Sequence, residues 1–193
     1  MNRRTKIAAV AAAVLLTLGA GGVAVASADD APAPAAASAV VSKSPVAEAA
    51  ALTGTAKLYR PAPADDDITF TFDAHLAAKD VKDPKAATGT FRFSHYTQGK
   101  GGYALVKVDC LTTGGKVAVV TGRVIETDVP EFKDRRVGVS VHDMGRHDRL
   151  GYSWLAVDPE KEDVSPCSSP APFERVKAGS GDFRVVPWAI PYN

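Results

Sequence analysis

The chain predicts an all-β fold, a single antiparallel β-sandwich or small β-barrel of about seven to nine strands, and three observations carry that expectation. Apolar and polar residues alternate with period two through much of residues 53–157, which sets one face of an extended chain against a core and the other in water. Turn formers punctuate these runs at 61–67, 83–84, 99–102, 112–115, 128–130, 143–145 and 165–172, and connections this short favour antiparallel neighbours. No segment of ten or more residues after Leu52 shows helical periodicity, although 76–82 suits a single turn. Alternation does not separate sandwich from barrel, because both bury one face of every strand.

The elements follow in order. Residues 1–28 have the layout of a signal peptide: Arg3, Arg4 and Lys6 form a basic start, 7–25 carries no charge, and Ala26-Ser27-Ala28 offers small residues to a signal peptidase. The alternative reading of 7–25 as a membrane anchor is opposed by Gly19, Gly21, Gly22 and the Asp29-Asp30 pair that follows. Arg3-Arg4 also resembles the start of a twin-arginine signal, but Thr5-Lys6-Ile7 lacks its usual continuation. The expected location is therefore extracellular, with no stable membrane insertion after cleavage.

Residues 29–50 hold nine Ala, three Pro and three Ser without an aromatic residue. Such a composition has little with which to build a core, so it reads as a disordered linker. A helix over 47–52 would be short and marginal. All 14 aromatic residues lie from Tyr59 onward, which places a single β domain at 51–193.

Within that domain, 53–59 opens the strands. In 68–75, Ile68, Phe70, Phe72 and Ala74 share one side, with Thr69, Thr71, Asp73 and His75 on the other. Segment 88–95 repeats the pattern through Phe91 and Phe93. Segment 103–111 offers Val106, Val108 and Cys110 to one face, and 116–125 is rich in Val. Val137, Val139 and Val141 alternate with Gly138, Ser140 and His142, while 150–157 sets Tyr152, Trp154 and Ala156 on one face. Weaker segments surround Arg175 and Phe183. The Pro-flanked tail with Trp188 and Tyr192 suits the closing of a barrel end or a domain edge.

Cys110 and Cys167 are the only cysteines, and an even count in an exported chain predicts a disulfide between them. Charge is balanced: 51–193 holds 19 Lys plus Arg against 19 Asp plus Glu, interspersed. Lys133, Arg135 and Arg136 are diluted by Glu131 and Asp134, so no basic face for nucleic acid is visible along the sequence.

Two polar groupings are candidate sites. His142, Asp143, His147 and Asp148 lie within seven residues and include zinc-ligand types. Their spacing fixes no ligand pair on one helix or strand face, and the preferred account is a polar turn, with Asp143 bonding amides near Gly145 and Asp148 pairing with a neighbouring Arg. Asp73, His75, His95 and Tyr96 end two neighbouring strands and are candidate pocket or acid–base groups. Ser94 and Ser153 are the only strand hydroxyls worth weighing as nucleophiles, and neither has a nucleophile-elbow context. Asp65-Asp66-Asp67 lacks the alternation of a calcium loop and reads as an exposed acidic turn.

The combination of Leu52 to Tyr59, Gly89 to His95, Val108-Asp-Cys-Leu111, Val119-Val-Thr-Gly122, Val139 to Asp143 and Asp148-Arg149 resembles secreted actinobacterial proteins without an established function, some labelled repetin. That resemblance spans most of 52–187 and supplies no catalytic residue to carry over; no cofactor is expected. The expectation is a secreted, non-enzymatic β module with an extracellular or cell-surface partner. Two alternatives stand beside it: a small metal-dependent hydrolase using the His142/His147 region, and a barrel carrying a small apolar ligand.

Overall fold

Nine antiparallel strands form one sheet in the computed structural model, which describes residues 47–61, 63 and 65–189. The expected signal peptide, most of the expected linker and Tyr192 lie outside the described residues. In chain order the strands are β1 (Glu48–Lys57), β2 (Asp67–Ala77), β3 (Thr88–Thr97), β4 (Lys100–Gly114), β5 (Val117–Thr127), β6 (Arg136–His142), β7 (Arg149–Tyr152), β8 (Glu174–Arg175) and β9 (Arg184–Val186). β1 to β8 pair as a meander, and β9 returns to the free side of β1. The first strand begins at Glu48, with Ala50 fully buried. Residues 48–50 thus extend the sheet rather than the linker, and 47–52 is not helical.

The sheet curls. Phe70 on β2 and Tyr152 on β7 are five strand steps apart, roughly 24 Å in a flat sheet, yet their ring centroids lie 5.5 Å apart. The result is a half-barrel, not a two-sheet sandwich, and residues 174–177 bridge its flanks. Glu174 and Arg175 pair with Leu150 and Arg149 of β7. On the opposite flank, Tyr59 N–H donates to the Arg175 carbonyl (2.8 Å) and Lys177 N–H to the Lys57 carbonyl (2.7 Å).

The predicted alternation builds the concave face. Leu52, Phe70, Phe72, Phe91, Phe93, Val106, Val120, Val139, Val141 and Leu150 all belong to one buried cluster, each at most 8% exposed. Burying a side chain of this size contributes about 1.5–3 kcal/mol. Two face expectations are corrected. Cys110 does not share the Val106 face, because a bulge between Val108 and Cys110 shifts the register, and one extra residue reverses every side chain beyond it. Leu111 takes the core side instead. Trp154 does not continue the strand of Tyr152, because Ser153–Leu155 is a 3-10 turn.

On the convex face, Cys110 meets Cys167 in the expected disulfide. The loop carrying Cys167 lies directly on the sheet. A Cβ on Gly138 would stand 2.1 Å from the Ser168 carbonyl oxygen, and one on Gly151 would stand 2.6 Å from that of Pro172. Only glycine allows this approach. Cys167 N–H and Ser169 Oγ then bond to Thr121 Oγ1 (3.1 Å) and the Gly138 carbonyl (3.1 Å).

Candidate functional site

One mouth of the half-barrel holds an aromatic cleft. Phe70 and Phe93 reach it from adjacent strands, their rings 5.6 Å apart. Tyr152 ends β7 beside both, and the 3-10 turn after it swings Trp154 edge-on to Phe93 at 5.4 Å. The indole N–H of Trp154 donates to the Arg136 carbonyl (3.1 Å), which fixes the ring. Phe132, from the β5–β6 connection, packs on Trp154 at 4.6 Å.

That connection leans over the mouth because Gly102 leaves room for it: a Cβ there would meet Val129 at 2.6 Å and Asp128 at 2.7 Å. Asp128 anchors the loop by accepting Tyr103 N–H (2.7 Å). The cleft, open to solvent on one side, has a volume of about 530 Å³ and is lined also by Ile68, His95 and Pro159. This volume falls within the usual range for small-molecule sites.

A polar rim flanks the rings. Arg60 grips Glu174 through both guanidinium nitrogens, at 2.6 and 2.9 Å. The Asp66 side chain, only 7% exposed, meets His95 Nε2 at 2.5 Å and accepts Thr97 Oγ1 at 2.7 Å. The Thr97 hydroxyl and then His95 hold the Asp66 carboxyl below its ordinary pKa, against the opposing effect of burial. Burial raises the Tyr152 phenol above its ordinary value; Arg60 opposes this, and Glu174 and Asp66 reinforce it. With His95 Nε2 engaged, Nδ1 is the nitrogen left for a ligand. Among the described residues no Ser, Thr or Cys lines the cleft.

The second predicted grouping separates. His75 pairs with Thr88, and His95 with Ile68, so antiparallel register puts the two histidines seven residue ranks apart, roughly 24 Å along the strands. Neighbouring strands end at opposite edges of the sheet, and His75 and His95 share no pocket. His75 instead meets Glu48 (2.5 Å) and Asp73 (2.8 Å) on the convex face. Burial pushes its pKa down, but the hydrogen bonds to Asp73 and Glu48 prevail and raise it. Tyr96 reaches Asp128 at 3.5 Å.

The His142–Asp148 stretch is a structural turn. Asp143 accepts Gly145 N–H at 3.3 Å, as the turn reading expects. Asp148 is 3% exposed, and its two carboxylate oxygens accept Met144 N–H (2.8 Å) and Phe183 N–H (3.3 Å). His142 lies beside Phe173. Asp148 thus does not pair with a neighbouring Arg as expected, because both its oxygens are taken by amides, and among the described residues no group of three or more His, Cys, Asp or Glu side chains, His142, Asp143, His147 and Asp148 included, is placed to hold a metal. Ser153 Oγ accepts Gly138 N–H in the interior at 3.0 Å and is spent structurally.

Sequence reasoning missed Arg60, Asp66, Phe132 and Glu174. Asp66 was hidden in an acidic run of which Asp65 and Asp67 are indeed exposed, and the others arrive from loops and from β8. No protein-family model, curated protein or solved structure matches this chain.

Proposed function

We propose that the chain is a secreted, non-enzymatic binding module that receives a small, largely apolar ligand in the aromatic cleft. The observation that carries this reading is the convergence of Phe70, Phe93, Phe132, Tyr152 and Trp154 on a space of about 530 Å³ beside a rim of Arg60, Asp66, His95 and Glu174. Apolar walls with a few placed polar groups suit a ligand with one polar end. Among the described residues the lining holds an aspartate-bound histidine without a Ser, Thr or Cys beside it, which supports binding as the reading. The disulfide suits an oxidising compartment, and among the described residues no helix is long and apolar enough to cross a membrane.

The test is titration with the neutral dye Nile red, read by dye emission and by tryptophan quenching. The chain has an internal control, because Trp188 sits away from the cleft, its indole N–H donating to the Val81 carbonyl (2.8 Å). Binding is expected to weaken about tenfold in Trp154→Ala, a loss of about 1.4 kcal/mol, and to persist in Trp188→Phe. Near-UV circular dichroism confirms that both variants fold. Undiminished binding in Trp154→Ala would overturn the assignment.

A further inference from the structure

We propose that the outward side of β7 and β8, with the loops at 145–147 and 177–182, is a second binding site, for a sugar polymer bearing phosphate or sulfate esters. Two adjoining clefts of about 430 and 520 Å³ share Arg146, His147 and Asp148. Tyr59, Arg149 and Arg175 complete the first, and Lys177 and Asp182 wall the second. Arg149 and Arg175 are direct partners in the β7–β8 register. Like charges placed opposite each other across two strands destabilise the pair.

Arg60, Arg123, Arg135 and Arg136 each meet a carboxylate, whereas among the described residues Arg146, Arg149, Arg175 and Lys177 take part in no ion pair. Four positive charges and His147 line the clefts with two carboxylates, and Lys177 is also within Coulombic reach of Asp67. One of the two lining carboxylates, Asp148, is buried and turned to backbone amides; the other, Asp182, lines only the second cleft. A local excess of positive charge stands on a domain that is neutral as a whole.

Guanidinium forks fit tetrahedral oxyanions, and two clefts side by side fit successive charged groups on one chain. Tyr59, 49% exposed at the edge of the first cleft, offers a flat face to a sugar ring. Single-stranded nucleic acid is served by a row of aromatic platforms, and this surface has one.

The experiment measures affinity of the purified protein for dextran sulfate, phosphomannan and single-stranded DNA at low and physiological salt. Binding to dextran sulfate identifies sulfate esters as the recognised group, binding to phosphomannan phosphate esters, and either supports the site. The paired variant Arg149→Gln/Arg175→Gln is expected to lose affinity about tenfold or more and to melt no lower than wild type, because the like-charge contact is removed. Arg146→Gln/Lys177→Gln, confined to loops, provides the same test without touching a strand. Arg123→Gln/Arg135→Gln is the control and is expected to bind as wild type does. Binding of neither polymer, equal losses in cluster and control variants, or tighter binding of DNA than of both polymers would overturn the proposal.

Discussion

Removing the Asp148 carboxylate separates a metal ligand from a structural staple. In the folded chain this side chain accepts Met144 N–H at 2.8 Å and Phe183 N–H at 3.3 Å, while its backbone carbonyl accepts Val176 N–H at 3.2 Å. One residue thus ties the turn before β7 to the returning C-terminal segment. Asp148→Ala strips both amides of a charged acceptor in a 3% exposed site. A hydrogen bond to a charged group is worth about 1.5–3 kcal/mol. Counting the longer contact at the low end gives a loss of about 3–4.5 kcal/mol.

Unfolding entropy near 2.1 cal/mol/K per residue amounts to about 0.3 kcal/mol/K for a domain of about 140 residues, so the melting temperature should fall by about 10–15 °C. Asp148→Asn keeps the shape and one acceptor oxygen and should lose about half as much. Thermal unfolding followed by circular dichroism, with and without EDTA, measures both effects. The staple argument fails if Asp148→Ala melts within about 2 °C of wild type. It fails equally if EDTA alone brings wild type down to the variant, since the carboxylate would then be serving an ion.

Two further outcomes are expected. Replacing both Cys110 and Cys167 with Ala frees a loop of 57 residues and should cost about 4 kcal/mol on the chain-entropy model; a urea midpoint equal to that of the oxidised wild type would contradict this. His75→Gln should destabilise at about pH 6 and hardly at about pH 9. The hydrogen bonds to Asp73 and Glu48 raise the folded pKa of His75 above its unfolded value, so their contribution is present below the unfolded pKa and lost as pH rises through the folded one. A difference from wild type that stays constant over that range would show that the imidazolium is not the stabilising species.

The strands were legible because the signal is local: Ile68, Phe70 and Phe72 declare their face within five residues, and the structure buries all three. The disulfide was legible because only two cysteines exist. The cleft was not legible, because its parts come from β2, β3, the β5–β6 connection and the turn after β7, elements up to about 90 residues apart that meet only when the sheet curls. The face of Cys110 was misread for a related reason, since a bulge inserts its extra residue without a glycine or proline to mark it. The two histidines were grouped as strand ends, and only the pairing direction reveals that ends of adjacent antiparallel strands lie at opposite edges.

Segment 174–186 carries more of the architecture than its weak pattern suggests. Glu174 completes the cleft rim through Arg60, Arg175 and Lys177 line the cationic clefts, Phe183 enters the core at 5% exposure, and 184–186 covers β1. Two residue pairs hold β8 to β7, and three hold β9 to β1. So few ladder bonds place this segment at the low-stability end of the fold, and the Asp148 staple fastens its middle together with the bonds of 175–182 to 55–59. Loosening that staple should therefore expose β1 and disturb both binding surfaces together, before the meander from β2 to β6 unfolds. Hydrogen exchange in Asp148→Asn tests the order: amides of 51–59 and 174–186 should lose protection first, and uniform loss across the sheet would mean that the segment folds as one unit with the rest.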